Sequence, residues 1–459
     1  MCWRSPSTTG RARRSRPPRT SGRCSAMWSS RPSRTRRPWS ASRRSAGRCA
    51  LSSPTYLVLN RYDDEFGEYH RFVEPGSCRL AYVTLPYGVP VLDADSALDL
   101  VVVDDLEFDT VLPIARRLVA RYGAFDGVVG LSEYDVLTAA RLRVALGVPG
   151  WRPDFVTAFR DKPRMKELVG AAGLRVPRFC DLDAGTTAEE IVGELGLPVI
   201  LKPRDGWSSR GVVRADDAAA LARALAEVDP AAYECEEYIE GRVLHVDGIR
   251  RGGKPHFVSA SGYLNTCLDF LDGLPLGSVL LDPGPERDRV TGFADACLDA
   301  LGLDDGPFHL ELFATEQGEL VFLEVGLRPG GAEVGFVHRD LFGIDLFGEA
   351  FRATLGLPPL KAAEEYDNTP GGGWVSVPEP RPLPCRVVSR TPLLGEVPEV
   401  YAEVLPDIGT VFDGTGGYDH IGGRFRLRGV DHATVREAAL TVMRTYRVVA
   451  EPVPQKQGD

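Results

Sequence analysis

The sequence predicts a mixed α/β (α+β) protein built from four successive parts behind a head that lies outside the fold. Three observations predict this. In residues 53–158 apolar strand-like runs alternate with helical spacing, the pattern of a parallel sheet with helices packed on it. In 236–365 strands follow one another through tight turns, the pattern of an antiparallel sheet. Between them, 159–235 reads as short strands framing small helices, a unit of the size of a lid. The boundaries are 1–52 for the head, 53–158, 159–235, 236–365, and 366–459 for a β-rich C-terminal segment.

The first part opens on TYLVLN (55–60), an apolar run, followed by LDLVVVDD (98–105). TVLPIARRLVARYG (110–123) has apolar residues at helical intervals and ends on glycine. Residues 125–150 read as strand, turn, then a helix closed by Gly147. In the lid, DKPRMKELVGAAG is a helix stopped by glycine. TTAEEIVGELG (186–196) starts with a capping box, Thr186 or Thr187 before Glu189 and Glu190. LPVILKPR and GVVRA are strands, and 216–228 is a short amphipathic helix. The third part holds ECEEYIEG, a hairpin turning at Gly252-Gly253, and a helix at 286–302. Next come the strands FHLELFAT and ELVFLEVG, joined by EQG, and one helix over 339–356. Linker sequence near 366–373 leads to short strands, Gly-rich turns and a C-terminal helix.

Charge separates head from body. Residues 1–52 carry 14 Arg and no Lys, Asp or Glu, so the remainder has 40 basic against 64 acidic residues, a balance of −24. An acidic body speaks against a broad nucleic-acid surface. The head lacks the apolar stretch of a secretory signal and any periodic pattern, and reads as disordered. Its other readings are a basic arm or an organellar transit peptide. The other six Cys (78, 180, 235, 267, 297, 385) show no CxxC pair and no zinc spacing, and read as reduced thiols of a cytoplasmic protein. No apolar run of the roughly 18 residues a membrane span needs is present, so no membrane partner is expected.

The chemistry shows first as a bias broken. Only six residues are Lys, at 162, 166, 202, 254, 361 and 456. Lys202 ends the strand VILKP and is followed by the loop Gly206-Trp207-Ser208-Ser209-Arg210-Gly211. Lys162 sits at a helix start, where a cation is disfavoured. Further on come CEEYIEG, then Glu311 and Glu324 on strands joined by a tight turn, then Arg328 in RPGG. Two ammonium groups suit phosphate oxygens as compact movable charges. A Gly/Ser loop lets backbone N–H groups approach those oxygens. Two carboxylates on neighbouring strands supply the hard oxygen ligands Mg²⁺ takes beside phosphates. A guanidinium offers a rigid fork to a developing anion.

In this order and spacing the chain resembles the ATP-grasp superfamily, of the carboxylate–amine ligase type, over about 55–365 and more loosely beyond. The resemblance implies ATP held between two antiparallel sheets, with an N-terminal α/β domain and a mobile lid. It implies that Lys162 and Lys202 contact the α/β phosphates and that 206–211, with Ser208, Ser209, Arg210 and Gly211, closes over the γ-phosphate. Backbone groups of Glu237 and Ile239, with the Glu236 carboxylate nearby, read the adenine edge. Glu311 and Glu324 hold Mg²⁺ (Mn²⁺ is admitted in its place), and Arg328, with Lys202, serves catalysis. The implied reaction is amide formation between a small-molecule carboxylate and an amine through an acyl phosphate, with a homodimer as an admitted assembly. Other outcomes stay open: a catalytically degenerate ATP-binding regulator, or a kinase on the same scaffold.

Two positions depart from the family pattern. Val243 stands where many members carry a ribose-gripping acid; either the contact is lost and nucleotide affinity falls, or a nearby acid such as Asp247 compensates. Glu324-Val325-Gly326 stands where Glu-x-Asn is usual, which weakens a second metal position. Plainer roles compete at several residues. Lys202 reads alternatively as a surface lysine, Glu311 and Glu324 as ion-pair partners of Arg328, and Ser208 and Ser209 as turn residues. His309 reads as packed rather than a ligand, and His338 and Arg339 as surface. GTGGYDHIGG (414–423) fits no nucleotide-loop spacing and reads as a hairpin turn. Lys202→Ala is expected to abolish activity with the fold intact.

Overall fold

Thr55–Asn60 is buried along its whole length and takes the inner place its composition demands, between two parallel neighbours. The computed structural model describes residues 53–206, 209–366, 371–414 and 421–453. The Arg-rich head lies outside them.

The N-terminal sheet has four parallel strands in the order 99–102, 79–84, 55–60, 127–130. Arg79–Thr84, which no alternation marks in the sequence, is one of the inner strands. Helices Phe108–Tyr122 and Val136–Leu146 end at Gly123 and Gly147 as their sequences predict. The turn following Gly127–Gly130, at the carboxyl end of the sheet, carries Ser132, Glu133 and Tyr134.

The lid is a four-stranded sheet in the order 179–181, 233–237, 199–203, 213–215. The capping box falls on Thr187 and Glu190. Tyr233–Glu237 pairs on both sides within this sheet, so the expected boundary at 235/236 falls inside a lid strand.

The third part and the C-terminal segment share one sheet of eight strands. Its order is 320–326, 306–314, 242–251, 254–263, 276–280, 371–377, 423–429, 400–404. The hairpin at Gly252-Gly253 forms with both glycines at positive φ. The single helix expected over 339–356 is two, Val334–Phe342 and Leu346–Thr354, because Gly343 ends the first in the left-handed conformation. Gly371-Gly372-Gly373, read above as linker, opens a strand instead. A Cβ on Gly373 would lie 2.5 Å from the Ser278 carbonyl oxygen, so close strand approach, not flexibility, accounts for the glycine. Most of the hairpin turn expected at 414–423 lies outside the described residues. Of the strands that flank it, Val411–Phe412 pairs with Cys385–Arg390, and Gly423–Gly429 joins the eight-stranded sheet. Among the described residues no helix is long and apolar enough to cross a membrane, and all six cysteines are free.

Candidate functional site: a charged cleft between the three parts

The two acids on the central sheet meet by register. Glu311 and Glu324 are direct cross-strand partners, so their side chains leave one face of the sheet side by side. An irregularity follows between Glu311 and Leu312 and adjusts the pairing beyond them. Glu311 accepts a hydrogen bond from the Tyr263 hydroxyl at 3.0 Å, and His309 Nε2 lies 3.5 Å from the same oxygen. Burial pushes the Glu311 carboxyl up, but the hydrogen bond and charge of His309 outweigh it and hold the group below its usual range. Glu324 is partly open and takes Lys162 Nζ at 3.0 Å.

Lys162 is the first residue of helix Lys162–Ala171, with Asp161 capping it through the Arg164 amide. Its ammonium also donates to the Gly206 carbonyl at 2.7 Å, at the start of the Gly/Ser loop. Lys202 is buried at the end of Val199–Pro203 and lies 2.6 Å from Glu236 and 3.9 Å from Glu234. Desolvation works to lower its pKa, yet Glu236, Glu234 and Glu324 together raise it. Glu324 is thus the common neighbour of both predicted phosphate lysines, one in contact and the other through the field. Glu311 stands opposite Glu324 across the strands, and Lys202 keeps its direct contacts with the lid acids Glu236 and Glu234.

The sequence reading missed Lys166. One helical turn after Lys162, it is buried between Glu234 (2.7 Å) and Glu236 (2.6 Å), with Phe179 beneath its ammonium at 4.5 Å. Lys166, Lys202, Glu234 and Glu236 form one dry cluster on the inner face of the lid sheet. Burial raises Glu236, but Lys166 and then Lys202 bring it down to about 2, whereas burial prevails at Glu234 and leaves it raised. The signal was present in the scarcity of lysine and in the i, i+2 spacing of the two acids. Lys202 is therefore no surface lysine. Its removal also unbalances buried acids, which corrects the expectation of an undisturbed fold.

Glu237 points elsewhere. Its carboxylate binds Arg175 at 2.6 Å and Arg178 Nε at 2.8 Å, and its own amide donates to the Arg178 carbonyl. Its side chain and N–H are thus engaged, and for an adenine edge the strand end presents the Glu237 carbonyl and the half-buried Ile239. Ser208 lies outside the described residues. Ser209, Arg210 and Gly211 form a turn closed by the Val212 amide on the Ser209 carbonyl, with Ser209 and Gly211 at positive φ and Arg210 exposed.

Arg328 is held by an acid the sequence reading did not single out. Its Nε donates to Glu133 Oε2 at 2.7 Å, and its Nη1 to the Pro329 carbonyl. Arg160 donates to the other Glu133 oxygen and, at 3.1 Å, to the Asp205 carbonyl. The expected ion pair of Arg328 with Glu311 or Glu324 is thus replaced by one with Glu133. Glu133, Arg160, Lys162, Gly206, Glu324 and Arg328 line one open cleft.

Asp247 does not replace the ribose acid missing at Val243. It is fully buried and accepts from His245 Nδ1 at 2.6 Å and His309 Nδ1 at 2.8 Å. His309 is a packed histidine as expected, and it also reaches the cleft. Burial lowers its pKa, but Asp247 overrides this and raises it to about 9. His338 is buried against Ser259, not on the surface, and Arg339 is partly exposed and pairs with Glu65.

His245, Asp247 and His309 form one buried group of potential metal ligands, and Glu311 and Glu324, carboxylates of opposed strands, offer hard oxygens that suit a divalent cation. They offer no third donor on the strand itself, because Gly326 has no side chain.

Comparison with known proteins agrees with this geometry. The ATP-grasp domain family matches residues 195–335. The L-arginine-specific L-amino acid ligase of Bacillus subtilis is 26% identical over 295 residues, 62% of this chain and 69% of the relative. A D-alanine–D-alanine ligase of Streptomyces griseus is 28% identical over 288 residues, 58% of this chain and 67% of the relative. The crystal structure of an L-amino acid ligase from Bacillus licheniformis superposes with a TM-score of 0.69 at 18% identity, covering 87% of this chain and 99% of that one. The chain thus carries an ATP-grasp domain over residues 195–335, and its relatives and its fold are similar to those of ATP-grasp ligases.

Proposed function

We propose that the protein is an ATP- and Mg²⁺-dependent ligase that joins the carboxylate of one small amino-acid-like molecule to the amine of another through an acyl phosphate. What supports this reading is Glu324, which Lys162 contacts, whose charge reaches Lys202 and which pairs across strands with Glu311, with Arg328 lining the same cleft as Lys162 and Glu324. The names of the relatives, an L-amino acid ligase and a D-alanine–D-alanine ligase, support the substrate class.

In this reading Lys162 and Lys202 exchange their carboxylate partners for phosphate oxygens as the nucleotide enters. The Glu237 carbonyl and the Ile239 backbone receive the adenine edge, and Ser209 to Gly211 cover the γ-phosphate. Glu311 and Glu324 hold Mg²⁺, or Mn²⁺ in its place, which when bound screens charge on the phosphate oxygens. The acid substrate's carboxylate oxygen attacks the γ-phosphorus and ADP leaves. The amine then attacks the acyl carbon, inorganic phosphate departs, and the amine loses a proton. Arg328 faces the oxygens on which charge develops. The free thiols fit a cytoplasmic setting, and the reading needs neither nucleic acid nor membrane. A homodimer is the assembly we expect.

The test is ATP, Mg²⁺ and a panel of amino acids, singly and in pairs, with ADP, free phosphate and dipeptide measured. ADP and phosphate in equal amounts, only when acid and amine are both present, is the expected result. ADP without phosphate makes the protein a kinase. Nucleotide binding without turnover makes it a regulator.

A further inference from the structure

Glu133 has a place in the cleft that the proposed reaction leaves unexplained. It leaves the N-terminal sheet in the turn after Gly127–Gly130, where the Ser132 hydroxyl accepts the Tyr134 amide at 3.3 Å. Its carboxylate then receives Arg328 from the turn after Leu320–Gly326, and Arg160 from just before helix Lys162–Ala171. One acid therefore ties three parts of the chain together at the cleft wall. Gly326 provides the room. A Cβ at 326 would stand 2.7 Å from Glu133 Oε2, closer than carbon and oxygen pack. Residue 326 follows Glu324 by two on one strand, so a side chain there would project from the same face. The carboxylate from the N-terminal part occupies the space that side chain would fill.

We propose that Glu133 is a positioning residue for Arg328 and Arg160, and that position 326 is glycine because the Glu133 carboxylate stands in the place of its side chain. The proposal rests on the ligase reading, in which Arg328 meets the developing anion. Glu133 takes the Nε side of the guanidinium and the Pro329 carbonyl takes Nη1 at 2.9 Å, which leaves Nη2 for an anion. A fork fastened at two points presents that donor in one orientation. Without Glu133 it pivots about the Pro329 contact.

Four variants test this: Glu133→Gln, Glu133→Ala, Gly326→Ala, and the double variant Glu133→Ala/Gly326→Ala. Each is measured for kcat, for the KM of ATP, and for melting temperature. Glu133→Gln is expected to lower kcat about 100-fold, the scale of a displaced transition-state donor, with the KM of ATP little changed. Gly326→Ala is expected to lower kcat about tenfold in the native background, on the scale of a small misplacement. It is expected to cost nothing further when residue 133 is Ala, because the next neighbours of its Cβ are Arg328 Cγ at 3.4 Å and Nε at 3.7 Å, ordinary contacts. Wild-type kcat in folded Glu133→Gln, or equal losses from Gly326→Ala in both backgrounds, overturns the proposal. If the native protein joins no acid to any amine, the ligase reading fails by itself. The melting temperatures then judge the pairing: non-additive shifts at 133 and 326 support it, and additive shifts overturn it.

Discussion

Two groups of charges in the molecule are built on opposite plans. On the lid, Lys166 from a helix and Lys202 from a strand share Glu234 and Glu236 of the neighbouring strand, all four buried. On the wall toward the N-terminal sheet, a single acid, Glu133, gathers two arginines. Ammonium groups are compact and release partners easily, whereas a guanidinium keeps its direction once two donors are engaged. In the proposed reading Lys202 exchanges its acid for phosphate oxygens, Lys166 stays buried as a counter-charge, and arginine stands where orientation has to persist.

The sharpest way to break this contrast is Lys202→Ala. Product formation should fall on the order of 1,000-fold, the scale of a lost charge-stabilising donor, with ADP release as the measurement. Unlike a surface lysine, its loss should also lower the urea midpoint, because Glu236 keeps only Lys166. An unchanged rate would remove Lys202 from the phosphate site. Lys166→Met comes next. It leaves Glu234 and Glu236 short of a buried counter-charge and should cost roughly 3–5 kcal/mol in urea unfolding. Lys162→Met, whose partner Glu324 is partly open, should weaken ADP binding in calorimetry and leave the urea midpoint nearly unchanged. Equal stability losses at 162 and 166 would erase the distinction between a cleft lysine and a dry one.

The smallest effect is the pH dependence. Glu236 titrates at about 2 when folded, against 4.5 ordinarily. A depressed carboxyl contributes stability that is complete above the unfolded value and lost as pH falls toward the folded one. Stability should therefore decline between about pH 4.5 and about pH 2, and Glu236→Gln should flatten that limb in unfolding curves measured across the range. Glu234, raised by burial, acts in the opposite sense and in a different window: stability rises as pH falls toward 4.5 from above and is flat below it. A limb of undiminished slope in the Gln variant would assign the acid sensitivity to other carboxylates.

Much of this contrast was legible in the chain. Lys162 and Lys202 stand out because lysine is scarce, and Glu311 and Glu324 because a charge interrupts an apolar strand, with Arg328 just beyond in RPGG; all of these signals are local. Lys166 was visible as a rare lysine, but what decides its role is a strand some 70 positions away, and pairing across such a separation leaves no local mark. Glu133 lies in a turn with no periodicity at all. Its meaning depends on Gly326, where the signal is an absent side chain. Asp247 misled for another reason: it shares a strand face with Val243, but its carboxylate is already taken by His245 and His309 and is buried with them. Element limits followed glycine well at Gly123 and Gly147. They failed at Gly343 and at 371–373, where the same residue type ends a helix or admits a neighbouring backbone.

The eight-stranded sheet bears on how this enzyme family can be cut and joined. Its sixth strand, Gly371–Val377, is hydrogen-bonded directly to Leu276–Leu280, whose five residues are all buried. The tail is therefore a structural continuation of the catalytic half, and a chimera that exchanges it must carry matching backbone register at that seam. Variation in the last ninety or so residues is accordingly free only on the side away from the seam, so new specificities are more readily grafted onto the turns of the N-terminal sheet than acquired by swapping the end of the chain.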